Sequence, residues 1–214
     1  MITLDELREK CREFEEREGR ASFYDLASEI KNIYPLHASV IILATWNMGR
    51  FRFMVNDTQN IVVLENALNK CKPFFNELKD KEFKVADFNE LKDKIKKVYS
   101  VLSKIEGVKY TGASKIFHLF CPKLIVMWDS YIRKEYRKKK YKKEYDIRIK
   151  GETAEDFLNF QKLMQKIFGH INWKEEKKTL PKAIDEYNYM TYTVPKLRRK
   201  QKPQERKVKS YSHI

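Results

Sequence analysis

Residues 105–136 read IEGVKYTGASKIFHLFCPKLIVMWDSYIRKEY. The stretch opens on a glycine turn, Gly107-Val108-Lys109. A short apolar-faced helix is expected from Thr111 to Phe120. Leu124-Ile125-Val126-Met127-Trp128 then forms an extended apolar run, closed by a single carboxylate, Asp129, at the place where a basic helix begins. Immediately upstream, Leu91, Ile95, Val98 and Leu102 recur at i, i+4, i+7 and i+11, and Asp87-Phe-Asn-Glu90 is a capping pattern, so an amphipathic helix is expected over Asp87–Lys104. Helix, tight turn and short helix therefore follow one another without a linker.

The same periodicity extends in both directions. Thr3-Leu-Asp-Glu6 is a capping box, with Leu4, Leu7, Cys11 and Phe14 at helical spacing to about Arg17. A second short helix starts at Ser22 and is broken by Pro35. His37–Met48 is the most apolar segment and reads as a buried helix ending in Trp46-Asn-Met-Gly-Arg50. Asn60–Leu78 is helical, with Pro73 expected to disturb its last turns or to start a new segment. After Asp129 come Arg133, Lys134, Arg137, Lys138, Lys139, Lys140, Lys142 and Lys143, interleaved with tyrosines. Thr153 caps a further helix ended by Gly169, and Pro181 sits in the first turn of the last one. The reading is all-α, with roughly eight to ten helices. Residues 1–193 form one helical domain, and residues 194–214 a basic tail without enough large apolar residues to fold alone.

The chain has 214 residues and a formal net charge of +15, which points to a polyanionic partner. Cys11, Cys71 and Cys121 are far apart, odd in number and without a CxxC pair, so no zinc site or four-cysteine iron–sulfur cluster can be built from them, and free thiols in a reducing, cytoplasmic setting are expected. No run approaches the ~18 apolar residues of a membrane span, and no cofactor is indicated. Walker loops, GxGxxG, GxSxG and HExxH are absent, which excludes the chemistries they carry.

The stretch I105-E-G-V-K-Y-T-G-A113, with W128-D-S-Y-I-R133 behind it, resembles the helix-hairpin-helix DNA glycosylase superfamily, which includes endonuclease III and the adenine-mismatch glycosylases. The family pattern runs L-P-G-V-G-x-[K/S]-T-A, then a helix, then an apolar run ending in V-D-x-H-V-x-R, and no gap is needed to lay it on this chain. Glu106 replaces the proline, Lys109 the second glycine and Gly112 the threonine. The resemblance implies a two-lobed helical globule with a cleft between the lobes, double-stranded DNA as partner, a monomer, base flipping, and removal of a damaged or mispaired base.

It also assigns roles. Gly107, Lys109, Thr111 and Gly112 would lie against DNA phosphates at the start of a helix, where unpaired N–H groups and the positive dipole end suit an anion. Arg133 and the Trp46, Asn47, Arg50 loop would join them, the loop filling the hole left by a flipped base. Asp129 is either a plain N-cap or the catalytic carboxylate facing the flipped nucleotide. Strand cleavage would need a lysine amine for a Schiff base. The family lysine falls on Thr111 here, which leaves a monofunctional enzyme, or Lys115 one turn along the same face, or Lys109. His118 reads as a satisfied core residue rather than a proton carrier. The alternative to the enzyme is a non-catalytic, basic nucleic-acid-binding protein with the same fold.

Overall fold

The computed structural model describes residues 2–57 and 59–198. Eleven α-helices follow in order among them: α1 Leu4–Arg17, α2 Ala21–Ile30, α3 Pro35–Trp46, α4 Met48–Val55, α5 Gln59–Leu78, α6 Lys92–Ser103, α7 Lys109–Phe120, α8 Ser130–Tyr136, α9 Lys139–Tyr145, α10 Ala154–Phe168 and α11 Leu180–Asn188. A π-turn, Tyr189–Thr193, extends α11, and residues 194–198 continue as helix. The rest of the expected basic tail, residues 199–214, lies outside the described residues. No strand occurs among the described residues, and none of their helices is long and apolar enough to cross a membrane.

Except at Asp87, the caps read from sequence are in place. Thr3 and Glu6 close a capping box on α1, Thr153 and Asp156 one on α10, and Gly169 ends α10. Pro35 both ends the preceding loop and supplies the first turn of α3, where its missing N–H costs nothing. Three boundaries differ. Pro73 lies inside an unbroken α5, because Phe75 and Leu78 beyond it are buried in the core and hold the last turns down. Asp87 does not start α6. Its Oδ1 accepts from the Asn89 amide at 2.7 Å in a local turn, and α6 begins only at Lys92. The basic stretch after Asp129 is split into α8 and α9 rather than forming one helix.

One core cluster runs from Leu7 on α1 to Ile184 on α11, and α2 joins a smaller one formed by Ala27, Ala38, Ile42 and Leu119. The hairpin packs into the large cluster on α3 and α4. A Cβ on Gly107 would lie 2.8 Å from Met54 Cβ, and one on Gly112 would lie 2.7 Å from both Leu43 Cδ2 and Asn47 Nδ2. Absence of side chains at these two positions is what lets α3 and α4 close on the turn.

The centre of the molecule is the run Leu124–Trp128, all buried and extended with no strand to pair with. The Leu124 and Ile125 amides bond back to the Cys121 carbonyl in a turn, and groups further along are met by side chains. Gln161 on α10 accepts from Val126 N–H at 2.8 Å and donates to Val126 C=O at 2.9 Å. Ser114 on α7 lies 3.0 Å from the Trp128 carbonyl and accepts from the Trp128 amide at 3.3 Å. His118, one turn further on α7, is 2.5 Å from Ile125 C=O through Nδ1. Trp128 is then locked edge-on to Phe157, 5.2 Å between centroids, while Tyr99 stacks on that same Phe157 at 4.2 Å.

Gln161→Leu keeps most of the volume but orphans both Val126 groups. Chemical denaturation is expected to show a loss of roughly 2–5 kcal/mol, the cost of two unsatisfied buried backbone groups; a change under about 0.5 kcal/mol would mean that Gln161 does not carry the segment.

Candidate active site at the meeting of α3, α7 and α11

Helix α7 sets the site. Seven of its residues from Ala113 to Leu119 are buried, among them Lys115. Three polar side chains lie within two turns, and each has a different task. Ser114 and His118 hold the extended run, whereas Lys115 reaches a small cavity bounded by Trp46 of α3, Met127, and Lys182 and Asp185 of α11, with Tyr189 at its edge. Lys115 makes no hydrogen bond or ion pair among the described residues, although it is only 9 % exposed. Burial pushes its amine below the ordinary lysine range. Asp185 and then Asp129 pull it back up, and Lys182 and Arg20 push it further down. Burial raises the Asp185 carboxyl in turn, against the pull of Lys182 and Lys115. An amine and an acid, both pressed toward their neutral forms, thus face one cavity.

The other charges of α11 are paired. Lys182 lies 3.2 Å from Glu186 and sits over the rings of Phe14 and Tyr24, at 4.7 and 4.8 Å from their centroids. Glu186 also takes Lys178 at 2.7 Å. Lys115 is the member of this group left without a direct partner.

Asp129 caps α8, accepting at Oδ1 from the Tyr131 and Ile132 amides at 2.7 and 2.9 Å. Its Oδ2 accepts from the Thr193 hydroxyl at 2.6 Å, so the π-turn after α11 holds the carboxylate from the other side. The N-cap geometry is therefore present, and the same carboxylate lies within electrostatic reach of Lys115. The cavity itself is about 20 Å³, room for one water and not for a nucleobase.

At the turn, Lys109 adopts φ +50°, the left-handed conformation that a glycine would take without strain. Glu106 at the tip pairs with Lys109 and, at 3.4 Å, with Arg50. The Tyr110 and Thr111 amides make no backbone hydrogen bond among the described residues. The approach made through Gly107 and Gly112 is to α4 and α3, as their neighbours show, since both glycines are buried. Asn47 is also buried. Its Nδ2 donates to the Val108 carbonyl at 3.0 Å and lies 3.3 Å from that of Gly107, so it ties the α3–α4 joint to the turn instead of facing outward. The three residues expected to act together are thus separated: Trp46 at the cavity, Asn47 under the hairpin, Arg50 on the surface. Arg133 is held by Glu152 at 2.8 Å and lies over Trp128 and Tyr110, with one guanidinium nitrogen, Nη1, buried and unpaired.

His118 is fully buried, with Nε2 2.8 Å from the Tyr24 hydroxyl. Sequence reading missed Tyr24, Lys182, Asp185 and Thr193. The three cysteines are each buried and free, and no group of three or more potential metal ligands occurs among the described residues. No protein-family model, no curated protein and no solved structure matches the chain.

Burial holds the His118 imidazole down to about 3, against the Ile125 hydrogen bond that raises it. A histidine neutral when folded and near its ordinary value of about 6.5 when unfolded binds more protons in the unfolded state, so its contribution is complete above that value and is lost as pH falls toward 3. Urea titrations at pH 6.5 and 5 should differ by roughly 1–2 kcal/mol in the native chain and by much less in His118→Gln. Equal pH dependence in the two would contradict this assignment.

Proposed function

We propose that the protein is a DNA glycosylase with lyase activity, in which Lys115 is the amine that attacks the sugar of a flipped nucleotide. The observation that carries the reading is the buried Lys115 side chain, without a direct partner, which shares a cavity with Asp185 and lies within electrostatic reach of Asp129. A nucleophilic lysine has to be unprotonated, and burial among apolar walls is the usual way to make it so. Asp185 adds an acid on the same cavity. With its pKa raised by burial, it is suited to give a proton to the departing base and take it back later. Asp129 stabilises the positive charge that builds on the sugar as the N-glycosidic bond breaks.

In this reading α6, the turn and α7 are the helix-hairpin-helix. The free Tyr110 and Thr111 amides and the Lys109 ammonium take a phosphate, which displaces Glu106 from an exposed pair worth little. The cleft of a two-lobed globule lies where α3, α7 and α11 meet. Trp46 and Tyr189 at the cavity must swing outward to admit a base, and the space they vacate becomes the pocket.

A second reading, a nucleic-acid binder without chemistry, is favoured by two features. The cavity holds about 20 Å³, and both oxygens of Asp129 are already engaged.

Borohydride trapping on a duplex carrying an abasic site separates the two. The glycosylase–lyase reading expects a covalent adduct that falls at least about 100-fold in Lys115→Gln, in line with loss of a covalent catalyst, and persists in Lys109→Gln. Undiminished trapping in Lys115→Gln, or none in the native chain that binds the duplex, would reject it.

A further inference from the structure

Away from that cavity, the segment 137–150 encloses a concavity of about 650 Å³. Arg137, Lys139, Lys142, Lys143, Arg148 and Lys150 line it, with Ile149 between them. No carboxylate does, although Glu135, Glu144 and Asp146 belong to the same stretch of chain. None of the six cations makes an ion pair among the described residues. Their neighbours Lys138 and Lys140 both pair with Glu135, and bases elsewhere on the surface take partners in the same way, as Lys10 and Arg17 do with Glu13.

The concavity is braced from behind. Asp146 ends α9 in the left-handed conformation, φ +53°, and so turns the chain back along the helix. Asn159 Nδ2 donates to Arg148 C=O at 3.2 Å, Lys166 Nζ to Tyr145 C=O at 3.0 Å, and the Lys150 amide to Asp156 Oδ1 at 2.6 Å. Tyr141 and Ile149 are buried beneath. Six cations gathered around one hollow with no carboxylate among them repel one another, and a bound polyanion relieves that repulsion.

The chemistry narrows the occupant. The hollow is far larger than one phosphate, and two arginines among the six suit bidentate contact to phosphate oxygens. No exposed aromatic face lines it, so bases have nothing to stack on there. We propose that this basin holds a run of backbone phosphates of a nucleic-acid strand, a sequence-independent contact separate from the hairpin. It shares the nucleic-acid partner of the function proposed above but not the chemistry at Lys115.

The test is binding of an unmodified, fluorescently labelled duplex by anisotropy across a potassium chloride series. The triple variant Lys142→Gln, Lys143→Gln, Arg148→Gln changes exposed side chains only. It should bind about 10–100-fold more weakly at low salt and shorten the slope of log K against log salt by about 2–3, near 0.9 for each phosphate no longer neutralised. The pair Lys10→Gln, Arg17→Gln, on α1 and paired with Glu13, should leave both within about twofold. Native affinity and slope in the triple variant overturn the basin whatever the trapping result. So does tripolyphosphate binding that the triple variant loses while duplex binding is unmoved, which would make the hollow a site for a small polyanion. A slope change in a native chain that traps no abasic duplex removes the enzyme and leaves the basin.

Discussion

A buried stretch of extended backbone with no strand beside it is an unusual demand, and meeting it organises this protein. Leu124–Trp128 has to satisfy its amides and carbonyls in the middle of a helical core, where an unpaired backbone group costs as much as a lost hydrogen bond. Gln161 does so from one side, as a strand neighbour would, by giving and accepting at Val126. Ser114 and His118 do so from the other, four residues apart on one face of α7. These bonds fix the rotation of α7 about its axis. With Ser114 and His118 committed to the run, Lys115 between them has one direction left, toward α3 and α11. The same run ends at Asp129 and delivers that carboxylate to the cap of α8. The position of the acid and the direction of the amine are therefore two consequences of one set of hydrogen bonds.

The charges on α11 complete the arrangement. Burying ions is costly unless each finds a partner. Lys178, Glu186 and Lys182 meet that condition as a chain along the helix. Asp185 has Lys182 at 3.8 Å, Lys115 has no direct partner, and burial moves both toward neutrality. The π-turn after α11 adds Thr193 on Asp129, so the end of the fold is fastened to the acid at its centre. Stability alone gives no reason to keep an unpartnered lysine in such a place. A perturbed cluster of this kind is more easily understood as a site.

Most helices were legible because capping patterns and 3.6-residue periodicity act locally. Thr3, Thr153, Gly169 and Pro181 sit in the caps and first turns that their sequence context implies. Asp129 was legible as a cap for the same reason. Other features depend on distant partners and leave no local trace. Asn47 looks like a loop residue and is buried under the hairpin. Lys182, Asp185 and Glu186 occupy what periodicity marks as the polar side of α11, yet they are buried because α1, α2 and α7 close over that side. Gln161 is a polar residue inside an apolar helix, and only the extended run explains it. The two buried glycines of the turn were readable as sites of close approach, but not as to what approaches: it is Met54 and Leu43.

The basin and the cavity divide the surface chemistry of a strongly basic chain into two kinds. One gathers exposed, unpaired bases around an open hollow, and the other sets the Lys115 side chain, without a direct partner, in a small cavity beside Lys182 and Asp185. The central claim rests on the Lys115 amine. Its most direct measure is a pH titration of the lysine side chains by NMR, on protein labelled at the lysine ε-carbon. The account predicts that Lys31 and Lys115 titrate below the ordinary lysine range, and that one of these two low resonances is absent from the spectrum of Lys115→Gln. Lysines that all titrate near 10.4, with none missing from the low end in that variant, would contradict it.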